Sequence, residues 1–388
     1  METASTVIAV VCLLLLLETG LMLRNLSHLL RLDDVAAPSP KRWPRVSVIM
    51  AARDEAAHVH GAVASRLADD YPDLQLLVVD DRSVDGTGLA AREAAVEDPR
   101  FTLVRIDELP GGWLGKVHAL QKGYEAATGD WLLFTDGDVQ VEPGTLRRAI
   151  GYCESAAIDQ LALVPSFRSG SFLIDGAWAV FLRGLIVMAD PAKVRDPSSK
   201  IALGSGAFNL VRRKAFEATD GFEHLRMETA DDIALAASIK LGGGRIEVVD
   251  GSMYARVPLY RSTRELLRGI EKNGSTTAGM SFPLLVLGLL ALGAVMFTPL
   301  AAIALGPRWL GALGTVTVAA YTGSEMYGLW RNTRRWMPAL LWPVTFPLMA
   351  YGIVRATWLA HHNNGVYWRD TFYSLEELET GRRFTLSS

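Results

Sequence analysis

The sequence predicts an α/β protein whose mostly parallel, Rossmann-like sheet is anchored in a membrane. Between Arg45 and about Gly251, short apolar runs alternate with helical stretches, which is the pattern of parallel strands joined by crossover helices. Long apolar segments precede and follow this region, and each approaches the roughly 20 residues that a bilayer-spanning helix needs. Hydrophobic residues form 50% of the 388 residues although 21% are charged, so the apolar excess is concentrated in these segments.

The first apolar segment runs from Thr6 to Leu23, and the basic residues lie on its C-terminal side, from Arg24 to Arg45. A cleavable signal peptide has the opposite charge order, so we predict an uncleaved anchor whose C-terminal side faces the cytoplasm. A buried helix of a soluble domain is the alternative. The anchor is assigned to residues 1–25 and a linker to residues 26–44.

The middle of the chain is predicted to alternate between strands and helices. The strands are Val46 to Met50, Leu74 to Val79, Phe101 to Ile106, Trp131 to Phe134 and Leu161 to Val164. The helices are Glu55 to Ala68, Gly88 to Glu97, Lys116 to Ala127 and Thr145 to Glu154. Ligands of such sheets bind beyond the carboxyl ends of the strands. Charged residues follow the first, second and fourth strands at those ends: Arg53, Asp54 and Glu55, then Asp80 and Asp81, then Asp136 and Asp138.

Three further apolar blocks predict a C-terminal membrane region over residues 280–360. They are Phe282 to Leu305, Trp309 to Tyr327 and Pro338 to Leu359. The loop Arg331 to Arg335 carries three arginines and is predicted to be cytoplasmic. The loop at Gly306, Pro307 and Arg308 is then predicted to be external. The third block contains two prolines and Arg355, so it is kinked, re-entrant or interfacial, and the side of the tail at 361–388 stays open.

Overall charge and cysteine content exclude several classes of function. Lys and Arg number 39 against 42 Asp and Glu, a balance that does not indicate a nucleic-acid partner. The two cysteines, Cys12 and Cys153, supply neither a disulfide framework nor a zinc site.

The most informative single motif is Asp136-Gly137-Asp138 at the end of the fourth predicted strand. Two carboxylates this close repel each other, and the glycine permits a tight turn that directs both toward one object. A divalent cation that also holds a phosphate, Mg²⁺ or Mn²⁺, is the simplest such object. A plain strand-end turn is the alternative.

The run Val78 to Thr87, VVDDRSVDGT, resembles the hallmark of family 2 glycosyltransferases with a GT-A fold, which is close to VVDDGSxDGT. The resemblance extends over roughly Arg45 to Asn273 and implies a GT-A domain at 45–275. It implies that Asp81 contacts the nucleobase, and a carboxylate that accepts an imide proton favours uracil. Asp85 is interpreted as a helix cap.

Other segments match the family position by position. Val46 to Glu55 is similar to the opening strand and its P-x-x-N-E turn; Ala51 replaces proline, Asp54 replaces asparagine, and Glu55 is retained. With Arg53, this turn is assigned to donor binding. Gly115-Lys116 resembles the GK-x-x-AL segment, whose lysine lies near the nucleotide. The resemblance gives Asp136 and Asp138 the role of the DxD motif that holds the metal and the donor diphosphate.

Two later motifs resemble the acceptor side of these enzymes. Gly204 to Asn209 is similar to an acceptor-side loop, with Gly204 and Gly206 as binding residues, although a glycine-rich turn into a strand is an equal alternative. Asp231 and Asp232 match an E-D-x-x-L run at a helix start, where carboxylates are also electrostatically favoured. The resemblance implies that Asp232, supported by Asp231, is the general base of an inverting transfer.

Two differences bear on the acceptor. The Q/R-x-x-R-W motif that accompanies processive polysaccharide synthesis is replaced by Arg264 to Asn273, which lacks tryptophan. Trp368 to Tyr373 resembles the W-R-G-x-x-Y tail of ceramide glucosyltransferase-like, carotenoid- and hopanoid-associated enzymes, with Asp370 in place of glycine. The tail favours a lipid acceptor.

The sequence therefore predicts a multi-pass membrane glycosyltransferase with a cytoplasmic catalytic domain, a UDP-sugar as the nucleotide-sugar donor, a lipid acceptor and a divalent cation. A polyprenyl-phosphate or polysaccharide glycosyltransferase is the alternative within the fold, and a non-catalytic membrane scaffold is the alternative outside it. A scaffold has no need of like charges clustered in one cleft, which argues against it.

Overall fold

The computed structural model describes residues 2–258, 260–272 and 280–383. Asn273, at the end of the family resemblance, and the last five residues of the tail lie outside these ranges. The chain forms two compact units. The apolar unit comprises Met1–His28, Arg168–Asp190 and Leu259–Glu376, and the sheet unit comprises Leu29–Phe167, Pro191–Pro258 and Glu377–Ser388.

Elements are numbered along the whole chain. The strands of the sheet unit are β1 Val46–Ala52, β2 Leu74–Asp81, β3 Phe101–Ile106, β4 Trp131–Asp136, β5 Gln140–Val141, β6 Gln160–Val164, β7 Ser166–Arg168, β8 Asn209–Arg212, β9 Ile246–Asp250 and β10 Ala255–Pro258. Its helices, preceded by α1 Glu2–His28 of the apolar unit, are α2 Ala56–Leu67, α3 Thr87–Ala95, α4 Gly115–Ala126, α5 Thr145–Ala156, α7 Pro191–Arg195, α8 Arg213–Glu217, α9 Gly221–His224 and α10 Asp231–Leu241.

The main sheet has seven strands in the order β3-β2-β1-β4-β8-β6-β9. All neighbouring pairs are parallel except those of β8, which runs antiparallel to β4 and β6. In register, Val46 of β1 lies between Leu74 of β2 and Trp131 of β4. These central strands are almost completely buried, because helices cover both faces of a parallel sheet.

The predicted α/β fold is confirmed, and the five predicted strands are β1 to β4 and β6. Three strands extend beyond their predicted ends, so that Ala52 is the last residue of β1, Asp81 of β2 and Asp136 of β4. The predicted helices begin and end within two residues of α2 to α5. A separate three-stranded sheet in the order β5-β10-β7 was not predicted.

The apolar unit contains α1 and the remaining elements. They are α6 Phe172–Met188, α11 Thr263–Glu271, α12 Phe282–Leu305, α13 Arg308–Thr333, a 3₁₀ helix Met337–Leu341, α14 Trp342–His362, the hairpin strands β11 Gly365–Trp368 and β12 Thr371–Ser374, and the start of α15 Leu375–Gly381. Among the described residues, three stretches are long and apolar enough to cross a membrane: α1, α12 and Met337–His362.

The three predicted C-terminal blocks form helices, with two refinements. The block Trp309 to Tyr327 lies in α13, a 26-residue helix that is not among the three candidate spans, since threonine, serine and glutamate dilute its apolar residues. The third block is helical throughout its length. Pro347 lies inside α14, and Arg355 forms an ion pair with Glu271 of α11.

Helix α6 was not predicted, although it lies within the segment that the sequence assigned to the catalytic domain. It groups with the apolar unit, and its Arg183 is almost fully buried there. The Arg183 side chain donates to Glu18 of α1 at 3.0 Å and to Ser324 of α13 at 2.8 Å. The unbroken apolar composition of Phe172–Met188 was the available signal, but 17 residues are fewer than a membrane span needs.

Candidate active site

Lys116 joins two of the predicted acidic motifs in one cleft. Its Nζ lies 2.9 Å from Asp136 Oδ1 at the end of β4 and 3.4 Å from Asp231 Oδ1 at the start of α10. Burial acts to lower the pKa of Lys116, but Asp136 and Asp231 outweigh it, so the pKa is raised and the amine stays charged. Asp232 and Gly206 also line this cleft.

Glycines allow the loop before β8 to approach the acids. The Gly206 carbonyl accepts a 2.9 Å hydrogen bond from the Asp136 backbone N–H, and a Cβ on Gly206 would lie 2.9 Å from Asp136 Oδ2 and 3.0 Å from Lys116 Nζ. A Cβ on Gly204 would collide with the Asp232 carbonyl oxygen. The segment is thus the predicted glycine-rich turn into a strand, β8, and it packs against the acids; its role in acceptor binding stays a prediction.

Asp231 and Asp232 are adjacent in sequence but occupy different environments. Asp231 is buried, and this burial raises its pKa to about 6 against the opposing effect of Lys116. Asp232 is half-buried at the cleft wall, and its Oδ1 accepts the Ile233 backbone N–H at 2.9 Å. Because α10 begins at Asp231, both carboxylates lie in its first turn, where the helix dipole favours negative charge.

Glu228, three residues before Asp231, is a further acid near the start of α10, and its environment differs from those of Asp231 and Asp232. Its side chain is buried, and its carboxylate accepts a hydrogen bond from the backbone N–H of Arg383 near the end of the chain. Gly381 packs beside it, where a Cβ would collide with Met227. Glu228 therefore ties the C-terminal segment to the loop before α10.

A second group of charges surrounds Asp81 at the end of β2. Asp81 accepts two hydrogen bonds from Arg82, Nε to Oδ1 at 2.7 Å and Nη2 to Oδ2 at 3.0 Å, and Arg53 Nη1 lies 3.9 Å from Oδ2. Gly115, the first residue of α4, approaches this pair so closely that a Cβ would lie 2.5 Å from Asp81 Oδ2. Lys116 follows it directly, so α4 connects the two groups of charges.

His118, one turn into α4, is a residue that the sequence analysis did not single out. It is 5% exposed, and no hydrogen-bond partner is present for its Nδ1 in the part of the chain that the structure describes. Burial lowers the pKa of His118, and Asp81 acts in the opposite direction. The imidazole is therefore a neutral polar group close to the Asp81 carboxylate.

The turn that follows β1 is locked to the turn that follows β2. Asp54 adopts φ 52°, a left-handed conformation that asparagine and aspartate tolerate better than most residues, which explains this residue type after Arg53. Its backbone N–H donates to Ser83 Oγ at 3.0 Å, and the Glu55 N–H donates to Thr87 Oγ1 at 2.8 Å.

Asp85 supports two helices rather than one. Its Oδ1 accepts the Thr87 N–H at 3.0 Å at the start of α3, and its Oδ2 accepts the Ala56 N–H at 2.9 Å at the start of α2. The N-cap residue of α3 itself is Gly86, at φ 91°. The carboxylate of Glu55 lies 3.3 Å from His58 Nδ1 at the same helix start.

The residues at the end of β4 fit a hard divalent cation. Asp136 and Asp138 are partly exposed, and Gly137 between them packs against β1, where a Cβ would lie 2.8 Å from that of Ala52. Among the described residues, no group of three or more His, Cys, Asp and Glu side chains could hold a metal. Two carboxylates without a third protein ligand match Mg²⁺ or Mn²⁺ when diphosphate oxygens and water complete the coordination.

Comparison with known protein families identifies the part of the chain that carries these acids. The family description "Glycosyl transferase family 2" matches residues 47–219. The chain contains a family 2 glycosyltransferase domain. The match covers β1 to β8 and includes Asp81, Lys116 and the Asp136/Asp138 pair, whereas Asp231 and Asp232 follow it.

Relatives of the family 2 domain include proteins with different named roles. The chain is 35% identical over 133 residues to the succinoglycan biosynthesis protein ExoO of Rhizobium meliloti, covering 33% of this chain and 36% of the relative. It is 23% identical over 242 residues to the 4,4'-diaponeurosporenoate glycosyltransferase of Staphylococcus aureus, covering 61% of this chain and 63% of the relative. The chain therefore spans less than two thirds of the length of either relative.

A solved structure similar to this chain is the mannosyltransferase PcManGT from Pyrobaculum calidifontis in complex with GDP-Man and Mn²⁺. The TM-score is 0.54 at 20% identity, and the similarity covers 87% of this chain and 99% of that one. The family 2 domain thus has the GT-A fold that the sequence predicted.

Proposed function

We propose that the protein is an inverting glycosyltransferase that moves a sugar from a UDP-sugar to a membrane lipid. The observation that carries the proposal is the convergence of Asp136, Lys116, Asp231 and Asp232 in one cleft at the carboxyl ends of the strands, the place where such sheets bind ligands. The family 2 domain supports the reaction class.

The donor would occupy the edge of the sheet from β2 to β4. Asp81, with Arg53 beside it, takes the nucleobase, and Glu55 lies at the same edge. Asp136 and Asp138 would hold the divalent cation, which stabilises the negative charge of the leaving diphosphate. Lys116 contributes a positive charge next to Asp136, within reach of the same phosphates.

The acceptor hydroxyl would be activated from the other side of the cleft. Its oxygen forms a bond to the anomeric carbon while the bond from that carbon to the diphosphate breaks, and its proton passes to the Asp232 carboxylate. Attack opposite the leaving group inverts the anomeric centre. Asp231, already paired with Lys116 at 3.4 Å, positions its neighbour and Lys116 instead of receiving the proton. Gly204 and Gly206 form the wall on the acceptor side.

A lipid acceptor is supported by the apolar unit and by the tail. In the described part of the chain, three helical stretches are long and apolar enough to cross a membrane, and the Trp368 to Tyr373 tail forms the hairpin of β11 and β12. The relative from Staphylococcus aureus is named for transfer to a diaponeurosporenoate. We propose that the protein is a multi-pass protein of the cell membrane with its sheet unit in the cytoplasm, where nucleotide sugars are made.

A second candidate within the same reaction class is transfer to a polysaccharide or polyprenyl-phosphate acceptor. The similarity to a succinoglycan biosynthesis protein favours it. The catalytic residues would be the same in both cases, so the acceptor is the only difference.

The decisive experiment uses the full chain in nanodiscs with a series of UDP-sugars and a total lipid extract. We expect one extracted lipid to gain the mass of one sugar in the presence of Mg²⁺ or Mn²⁺, and the Asp232→Asn variant to lack that product. A product found only in the polysaccharide or polyprenyl-phosphate fraction would select the second candidate. No turnover of any nucleotide sugar by the wild type would leave the non-catalytic scaffold as the better description.

A further inference from the structure

Arg82 occupies a backbone conformation that arginine adopts rarely. Its φ is 57°, in the left-handed region where a Cβ is disfavoured and glycine is the usual residue. The hallmark that this segment resembles has glycine at this place, VVDDGSxDGT against VVDDRSVDGT. A non-glycine residue persists in such a conformation only when surrounding interactions over-determine it, and strain of this kind concentrates at functional sites.

A fork-shaped ion pair with the neighbouring residue, Asp81, holds Arg82 in this conformation. Arg82 Nε donates to Asp81 Oδ1 at 2.7 Å and Nη2 donates to Asp81 Oδ2 at 3.0 Å. The Asp81 side chain is 4% exposed and that of Arg82 is 18% exposed, so the pair is largely shielded from water. Charge-assisted bonds with this two-point geometry are among the strongest that proteins form, and they fix orientation as well as distance.

The fork is also held from the other side. A Cβ on Gly115 would lie 2.5 Å from Asp81 Oδ2 and 2.8 Å from Arg82 Nη2, so the first residue of α4 packs directly on the pair. The backbone of Arg82 is tied as well, since its N–H donates to the Ile106 carbonyl at the end of β3 at 3.1 Å. The side-chain pair is therefore packed against α4, and the backbone of Arg82 is tied to β3.

We propose that Arg82 is a specificity-determining residue that selects uracil over guanine in the donor by occupying both oxygens of Asp81. This inference rests on the proposed function, in which Asp81 faces the nucleobase. It deepens that proposal, because a residue outside the recognised motif pattern then decides which nucleotide the carboxylate can accept.

The selection follows from counting acceptor sites. A carboxylate has about four lone-pair sites, two on each oxygen. Guanine presents two adjacent donors, N1–H and N2–H, and pairs with a carboxylate through both oxygens on one edge, which is the edge that the Arg82 fork already uses. Uracil presents one ring N–H between two carbonyls and requires a single outer lone pair. Cytosine presents an unprotonated ring nitrogen at that position, and its exocyclic amino group, like the uracil N–H, needs only a single lone pair, so release of the fork changes its pairing little.

The test is nucleotide binding by titration calorimetry, with UDP, GDP and CDP added to the full-length protein in nanodiscs with Mn²⁺. We expect the wild type to bind UDP more tightly than GDP and CDP. Arg82→Gly, which suits φ 57° and removes the fork from Asp81, should reduce the UDP preference over GDP by on the order of 10-fold or more, since one two-point base contact discriminates by about that factor. Its affinity for CDP relative to UDP should change much less.

Two further variants separate geometry from charge and from folding. Arg82→Asn also tolerates the left-handed conformation and should behave like Arg82→Gly. Arg82→Lys keeps the charge but lacks the planar fork, so it should also lose most of the preference. Arg334→Gly is the matched control: Arg334 has φ 60° in the apolar unit, so the same substitution relieves the same kind of backbone strain and should leave the UDP to GDP ratio unchanged.

The outcomes distinguish failure of the proposed role of Arg82 from failure of the proposed glycosyltransferase function. An unchanged UDP to GDP ratio in both Arg82→Gly and Arg82→Asn, with UDP still bound, would overturn the role of Arg82 and leave the glycosyltransferase proposal intact. A wild type that prefers GDP would likewise overturn it. A wild type that binds none of the three nucleotides would overturn the proposed donor site and this inference with it.

Discussion

At the scale of single residues, the adjacent carboxylates of Asp231 and Asp232 have different chemistry because Asp231 is buried and paired with Lys116, whereas Asp232 is half-buried at the cleft wall. We expect Asp232→Asn to lower transfer by about 10²- to 10⁴-fold, the usual contribution of a general base, while donor affinity changes little. Asp231→Asn should cost less. Initial rates and donor affinity measured in nanodiscs for both variants check this. Wild-type transfer by Asp232→Asn would move the base to Asp231.

The environment of Asp231 also predicts how stability depends on pH. Burial raises its pKa to about 6 from an ordinary value of 3.8, so the folded protein binds this proton more tightly than the unfolded chain does. The stabilising contribution is complete below about pH 3.8 and is lost as the pH rises through about 6. Asp231→Asn should remove this decline, so its Tm should fall less than the wild-type Tm between pH 4 and 7. Parallel Tm curves would contradict the assignment.

A third residue-scale prediction concerns the cation. Asp138→Asn should weaken Mn²⁺-dependent binding of UDP and leave the fold intact, because removing one of two neighbouring like charges relieves repulsion. Titration calorimetry with and without chelator measures the effect. Asp107→Asn is the control, since that side chain is 81% exposed and pairs with Arg105. Equal UDP affinity with and without chelator in the wild type would show that the pair is structural.

At the scale of elements, the first turn of α10 depends on the glycine that faces it. Gly204→Ala should displace that turn, because the added Cβ would collide with the Asp232 carbonyl, and overpacking of this kind costs about 1–3 kcal/mol. We expect a lower Tm and a larger loss of transfer than of UDP affinity. Gly111→Ala is the matched control, since nothing lies within 4 Å of its added Cβ. Equal effects of the two substitutions would contradict this packing role.

The elements that the sequence predicted well are those whose signal is local. The strands β1, β2 and β4 are apolar runs that end in charged residues or are directly followed by them, and this pattern located the charged motifs at their ends. Strand β8 has four residues, and the glycine-rich turn before it indicated only that a strand follows. Its antiparallel place between β4 and β6, partners distant in the chain, could not be predicted from a local pattern. The Lys116 to Asp231 contact joins residues more than a hundred positions apart, and only the fold brings them together.

At Arg82 the sequence shows a departure from the family hallmark, but the structural consequence of that departure could not be predicted from it. The departure from glycine is visible in the sequence, but neither the positive φ nor the fork on Asp81 can be read from residue types. The positions of Gly115 and Gly206 are similar: their motif membership was predictable, whereas the close approach that requires glycine was not.

At the scale of the whole molecule, the distribution of basic residues predicts that the sheet unit is cytoplasmic. Both natural cysteines are buried, so a single introduced cysteine reports cleanly. Val96→Cys, at a position 81% exposed in the sheet unit, should react with a membrane-impermeant maleimide only after the cells are opened. Arg308→Cys, in the predicted external loop, is the comparison and should react in intact cells. Labelling of Val96→Cys in intact cells would reverse the topology and remove the donor site from its substrate.

The path of the chain through the two units has a consequence for biosynthesis. The chain leaves the sheet unit after β7, forms α6 in the apolar unit, and returns at α7 before it supplies β8, the strand that pairs with both β4 and β6. A ribosome therefore synthesises the apolar helix before the strand that completes the catalytic sheet. Packing of α6 into the apolar unit should precede sheet closure, and the edges of β4 and β6 that β8 will occupy are exposed to aggregation during that interval. Expression should consequently depend on membrane targeting, and a fragment of residues 29–258 made without membranes would expose Phe172, Phe181 and Met188 of α6 to water and should aggregate.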